Sequence, residues 1–145
     1  MKRIPGELLS IVNAFLEKPL IARMATAAQN GQPHVVPVWY GWDGKALWIS
    51  SFVSTRKYAE MQHNPLISVV IDTVEKNGDI KFVILEGTAE LIEEPREFIA
   101  RQSIWIYKRY LGEEGVLASD PQSWSIDPEN RIIKLLPDQI YLRGF

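Results

Sequence analysis

Turn-forming residue pairs cut this chain into short apolar runs, and that punctuation limits its fold more than any other feature. Asn30-Gly31, Asp43-Gly44 and Asn77-Gly78 each separate stretches rich in β-branched and aromatic residues. Asn-Gly and Asp-Gly readily take the positive φ values of tight hairpin loops, so each pair predicts antiparallel neighbours on its two sides. Residues 20–28, 34–42 and 46–52 then read as a three-stranded meander. Residues 66–73 and 80–93 form a second hairpin, with Gly87 marking an expected bulge or bend. Residues 131–136 and 139–142 flank Pro137-Asp138 as a final strand pair.

Helical spacing is confined to three places. Leu8, Leu9, Ile11, Val12, Phe15 and Leu16 predict a helix over about 6–17, opened by Pro5-Gly6-Glu7 and stopped by Pro19. A short helix fits Ser54 to His63, with Asn64-Pro65 as its stop. A third begins at Glu94-Pro95, carries Phe98, Ile99, Ile104 and Trp105, and ends at Leu111-Gly112. Residues 113–130, with Asp120-Pro121 and Asp127-Pro128, read as an irregular loop. Seven strands and three badly spaced helices exclude a regular βαβ alternation. They predict a mainly β fold, a closed or nearly closed antiparallel barrel with peripheral helices.

Size and composition exclude several functions. A chain of 145 residues buries about two thirds of its unfolded surface, enough for one core, so 1–145 is expected to be a single domain. Sixteen basic and eighteen acidic residues leave a net charge of −2, with no global attraction for nucleic acid or acidic membrane. No window approaches the roughly 18 to 20 apolar residues of a membrane span, and the first residues do not read as a signal peptide. A soluble, cytoplasmic protein is the expectation. With no cysteine there is no disulfide, thiolate zinc site or cysteine nucleophile. Only His34 and His63 are available, too few for a histidine-rich metal site. Neither GxSxG, GxxxxGK[ST] nor a strand-linked GxGxxG occurs. The paired carboxylates Glu93-Glu94 and Glu113-Glu114 fit solvated helix and loop edges. His63 fits a helix end or the surface.

Two segments concentrate chemistry. In Ser50-Ser51-Phe52-Val53-Ser54-Thr55-Arg56-Lys57 a strand ends and a helix begins. Ser54 is a suitable N-cap, yet Lys57 stands where a capping box would place Glu. A helix start with two cations and no acid is poorly matched to its own dipole, and a bound phosphate would resolve the mismatch. The plainer reading is two solvated charges. In His34–Trp42, Val36, Val38 and Tyr40 alternate with Val35, Pro37 and Trp39, so both faces are apolar. A proline there suits an edge, or a place where a flat ligand approaches the backbone. Equally, the strand could be packed on both sides by protein.

Taken in order, Ala25-Thr26, Asn30-Gly31-Gln32-Pro33-His34, Val36-Pro37-Val38-Trp39, Asp43-Gly44 and Leu47-Trp48-Ile49-Ser50-Ser51 form a combination that continues through Thr55-Arg56-Lys57 and Asn64-Pro65. Glu86–Leu91 and Ile140–Phe145 extend it, most weakly over 96–130. This combination resembles the pyridoxamine 5′-phosphate oxidase-like, FMN-binding split-barrel superfamily. The resemblance implies a six-stranded split barrel that forms a homodimer, with a flavin-type cofactor in each of two interface clefts. Carried over, Lys57, Arg56 and Thr55 would hold the cofactor phosphate, Ser50 and Ser51 would meet the phosphate or ribityl hydroxyls, and Val36, Pro37, Val38 and Trp39 would lie along the ring. Trp105, Tyr107 and Trp124 could complete the cleft from the other subunit, with core packing the plainer role for Trp105. No histidine accompanies Arg143, so the substrate motif of true pyridoxamine phosphate oxidases is missing.

The resemblance therefore implies an FMN-dependent oxidoreductase acting on a small molecule, with no catalytic residue assigned. One alternative is a deazaflavin-dependent reductase, whose longer acidic tail would use Arg3, Lys18 and Arg23. Another is a non-catalytic, stress-related flavin- or haem-binding protein with His34 or His63 as haem ligand.

Overall fold

The strand expected over 34–42 is two strands, and the break between them organises the molecule. The computed structural model describes residues 6–145. Strand β1 (Ala22–Ala27) pairs with β2 (Pro33–Val38), and β3 (Gly41–Trp42) pairs with β4 (Leu47–Phe52). The remaining strands are β5 (Leu66–Val74), β6 (Ile80–Ile92), β7 (Asn130–Leu135) and β8 (Gln139–Arg143). Their order is β2-β1-β5-β6-β7-β4-β3, with β8 also on β6, and every pairing is antiparallel. Thus Trp39 and Tyr40 carry the chain from one end of the path to the other. The sheet is curled back on itself as a split barrel, mainly β as the sequence predicts.

Helix α3 (Arg96–Gly115) satisfies the backbone that this crossing removes from the ladder. The Tyr40 N–H donates to the Tyr110 hydroxyl at 3.1 Å, and the Tyr40 carbonyl accepts from Arg109 Nε at 2.8 Å. The same guanidinium donates to the carbonyls of Leu16 and Glu17, each at 3.1 Å, at the end of helix α1 (Gly6–Leu16). A cation on orphan C-terminal carbonyls complements both their hydrogen-bonding needs and the helix dipole.

Strand β6 is common to both halves. Residues 80–88 pair with β5, and 89–92 pair with β7. Gly87 is no bulge: the register runs through Ile67↔Gly87 to Leu66↔Thr88 without a slip. Its use is closeness, because a Cβ there would lie 3.2 Å from the Leu136 carbonyl oxygen and 3.2 Å from the Asp138 nitrogen.

The barrel interior holds Met24, Leu47, Ile49, Val69, Ile71, Val83, Leu85, Ile133 and Leu135, joined by Val12, Phe15 and Leu16 of α1. A second cluster lies between α3 and the outer side of β4 and β7, where Trp48 and Ile132 meet Ile99, Ile106 and Tyr107. Strand β4 is therefore buried on both faces. On the β2-β1-β5-β6-β8 half the outer face stays open, and Val35 and Leu66 are 61% and 63% exposed there.

The region expected to be an irregular loop is helical. Helix α3 is interrupted at Gly112 (φ 79°), near its predicted end, and α4 (Ser119–Ile126) follows. Asp120-Pro121, which suggested a turn, lies in the first turn of α4, where a missing N–H costs nothing. No described helix is long and apolar enough to cross a membrane.

Trp105 has the packing role: its ring lies over Gly41, and a Cβ at that position would come within 2.3 Å of it. Gly41→Ala should lower stability by about 1–3 kcal/mol, the usual range for overpacking. Urea unfolding measures the loss, and the same substitution should cost less in a Trp105→Leu background, where the clash is removed.

Candidate functional site

The junction of β4 with helix α2 (Arg56–His63) leaves a helix start without internal partners. Thr55, not Ser54, is the N-cap residue, with extended backbone (φ −76°, ψ 150°). Its hydroxyl does not cap the helix but donates to the Phe52 carbonyl at 2.8 Å, while Ser51 Oγ lies 3.1 Å from it. Ser54 is exposed. No side chain caps the first-turn N–H groups, and the first turn contains no acid. The dipole end is thus uncompensated, as the sequence suggested.

The two adjacent cations have separate fates. Arg56 Nε donates to Glu60 Oε1 at 2.7 Å, one helical turn on. Lys57 makes no ion pair among the described residues, and burial pulls its pKa below the ordinary value. A desolvated ammonium without a counter-charge favours an incoming anion.

Lys57 and Thr55 stand at one end of a cleft of about 350 Å³, within the range of small-molecule sites. Pro37, Val38 and Trp39 form one wall, and Ser50, Ser51 and Phe52 of β4 form another. Ile106, Tyr107 and Trp124 close it from α3 and α4. The aromatic side is rigid. Trp39 stacks on Tyr110 at 4.7 Å and 5°, and Tyr107 meets Trp39 and Trp124 edge-on at 6.3 and 5.8 Å. Tyr110 is anchored by donating to the Leu20 carbonyl at 2.7 Å. The Tyr107 hydroxyl lies 2.8 Å from Ser50 Oγ, and burial raises its pKa.

Seven of the sequence-derived candidates therefore border one cleft: Pro37, Val38, Trp39, Ser50, Ser51, Thr55 and Lys57. Val36 and Arg56 do not. Val36 pairs with Met24 on β1, and Arg56 is held by Glu60. Tyr107 and Trp124 complete the cleft from the same chain, whereas the sequence reading placed them across a subunit boundary. Phe52, Ile106 and the buried Asn130 behind Ser50 were missed. None of these carried a local signal, since Asn130 stands at the start of β7 between Glu129 and Arg131, in a run of polar residues.

The alternative ligands find fewer groups. His34 Nδ1 lies 3.0 Å from the buried Glu60 carboxylate, and His63 is exposed at the end of α2. Neither borders the cleft. Arg23 pairs with Asp72, Lys18 is exposed away from the cleft, and Arg3 lies outside the described residues. A broader groove of about 960 Å³ runs between residues 75–82 and Arg143-Gly144, but there Lys81 is already paired with Glu75 at 3.1 Å.

A family model described as pyridoxamine 5′-phosphate oxidase matches residues 10–144. Comparison with curated protein sequences finds no match. Among solved structures, the chain is similar to the conserved hypothetical protein Rv2991 from Mycobacterium tuberculosis, with 21% identity, TM-score 0.76, and coverage of 98% of this chain and 85% of that one. It is also similar to an F420 reductase, with 22% identity, TM-score 0.68, and coverage of 89% and 94%. The heme storage protein HutZ from Vibrio cholerae matches with 16% identity, TM-score 0.74, and coverage of 94% of each chain. At these identities the likeness establishes the shared fold.

The tyrosines around this framework give it a pH signature. Burial raises the pKa of Tyr40, Tyr107 and Tyr110, and raises that of Tyr58, whose hydroxyl donates to Glu93 at 3.1 Å, to about 12. A folded-state pKa above the ordinary value of about 10 means stability intact below that pH and lost as pH rises beyond it. Urea midpoints should fall above about pH 10 together with the appearance of near-ultraviolet phenolate absorbance.

Proposed function

This chain belongs to the pyridoxamine 5′-phosphate oxidase family, and from that premise we propose that it is a homodimeric oxidoreductase that binds a flavin cofactor, FMN first, in the cleft at the β4–α2 junction. One observation carries the reading: an uncapped, acid-free helix start and a desolvated, unpaired lysine share the end of an aromatic-walled cleft. Phosphate chemistry fits that donor set, since it supplies both the acceptors the N–H groups lack and the charge Lys57 lacks. Lys57, Thr55 and Ser51 would take the phosphate end, and Pro37, Val38 and Trp39 would lie along the ring.

Ser50 lines the wall between these ends. Val36 and Arg56 support the site from behind, through the β2 pairing and the Glu60 contact. Bound flavin would supply the hydride or electron chemistry, and the protein would supply position and exclusion of water. Trp39, clamped by Tyr110, fixes the plane against which a flat ring packs. The substrate is a small molecule meeting the ring's other side.

Deazaflavin remains the second reading, supported by the likeness to an F420 reductase. Against it, Lys18 and Arg23 stand away from the cleft, and Arg23 is already paired. For haem, the histidines are misplaced relative to this cleft.

Flavin fluorescence and absorbance titrations test the site. Lys57→Gln should weaken FMN binding by about tenfold or more, the value of a charge-assisted hydrogen bond. Arg56→Gln should change it by no more than about threefold, because this guanidinium is turned to Glu60 and does not border the cleft. Unchanged affinity in Lys57→Gln would remove the phosphate assignment. Parallel titration with the deazaflavin coenzyme ranks the two cofactors.

The exposed Val35 and Leu66 mark the face expected to meet the second subunit. A Val35→Glu, Leu66→Glu double variant should run as a monomer in light scattering where the parent runs as a dimer. A monomeric parent would remove the dimer.

A further inference from the structure

A chain of polar groups that runs back from the cleft wall fixes which partner donates between Ser50 and Tyr107. The Ser125 carbonyl can only accept, and it lies 3.2 Å from Asn130 Nδ2, which fixes the amide orientation. The same nitrogen donates to Ser103 Oγ at 2.9 Å, and the Ser103 hydroxyl in turn donates to Ser50 Oγ at 3.4 Å. Asn130 Oδ1 therefore faces Ser50, and because an amide oxygen only accepts, Ser50 gives it its single hydrogen across 2.8 Å. Ser50 then has no hydrogen for Tyr107, so in their 2.8 Å contact the phenol is the donor. Asn130 and Ser103 are fully buried, which keeps water from reversing the chain. The raised pKa of Tyr107 keeps its hydrogen in place. Tyr107 borders the cleft between the indoles of Trp39 and Trp124, and with its hydrogen committed to Ser50 its oxygen has only lone pairs left to offer a bound molecule.

We propose that Tyr107 is a specificity-determining binding residue that accepts a hydrogen bond from an N–H or O–H of the bound molecule and disfavours a carbonyl or phosphate oxygen at the same place. The inference rests on the flavin reading of the cleft. Flavin phosphates carry two kinds of donor, the imide N–H of the ring and the hydroxyls of the ribityl chain. Ser50 becomes a positioning residue, its hydrogen committed to Asn130 and its oxygen accepting from Tyr107.

The test measures dissociation constants of the full chain for three probes: FMN, N3-methyl FMN, and a flavin phosphate whose N10 chain lacks hydroxyls. Tyr107→Phe should weaken FMN binding by about tenfold. For the probe that lacks the contacted donor, parent and Tyr107→Phe should bind alike, which identifies the donor as imide or hydroxyl. Ser50→Ala keeps the phenol but frees its hydrogen, and should shrink the parent's preference for FMN over that probe to about threefold or less. If Tyr107→Phe fails to fold, Ser50→Ala alone decides, and an unchanged preference overturns the proposal. Equal FMN affinity in parent and Tyr107→Phe, or the same loss with all three probes, also overturns it. Lys57→Gln separates the two readings: weakened FMN binding there with none in Tyr107→Phe leaves the cofactor site standing without the Tyr107 role. A parent that takes up no flavin phosphate removes both.

Discussion

A chain that leaves one edge of a curled sheet and enters the other must find new partners for the backbone groups it strips from the ladder. Here the crossing occupies Trp39 and Tyr40, and α3 supplies those partners through Arg109 and Tyr110. Unpaired backbone groups buried in a protein cost about as much as lost hydrogen bonds, so the barrel and its outer helix are interdependent. The arrangement also ties the end of α1 to the same guanidinium. Trp39 is fixed as a result, because the residue after it is bonded on both sides and its own ring lies flat on Tyr110. A cleft wall is thus determined by the way the sheet closes.

The opposite end of the cleft works by omission. Helix starts are usually capped by a hydroxyl or carboxylate, worth about 1 kcal/mol. In α2 the cap residue's hydroxyl is turned to Phe52, and the carboxylate of Glu60, one turn into the helix, is engaged by Arg56 and faces His34. The local structure gives up stabilisation that a ligand could restore. Partial burial of Lys57 adds to the asymmetry, since desolvation raises the free energy of the unpaired ammonium relative to one facing an anion.

Much of this was legible because turns have strong local chemistry. Gly31, Gly44 and Gly78 all take positive φ where the sequence placed hairpins, and the strands they separate pair as neighbours. The break after Val38 was not legible: apolar residues continue through it, and what ends the strand is a distant tyrosine and arginine. Helix α4 was hidden because proline signals a turn and a helix's first turn equally well. Arg56 and Lys57 looked interchangeable, although Glu60 lies four residues beyond Arg56 and Met61 four beyond Lys57, and that spacing separates them. Tyr107 and Trp124 were picked out by type but assigned across a boundary, since sequence does not show how α3 folds back over β4.

The position of β7 sets an order on biosynthesis. β4 reaches the rest of the sheet only through β7, and β7 lies some eighty residues further along the chain. While the polypeptide emerges, β1, β2, β5 and β6 can assemble early from adjacent hairpins, but β3 and β4 must wait with their apolar side chains unshielded. Non-local pairing of this kind slows folding, because loop closure precedes any reward from contacts. The nascent chain therefore carries an unsealed apolar edge until β7 has appeared, and this is the interval in which a chaperone would find something to hold.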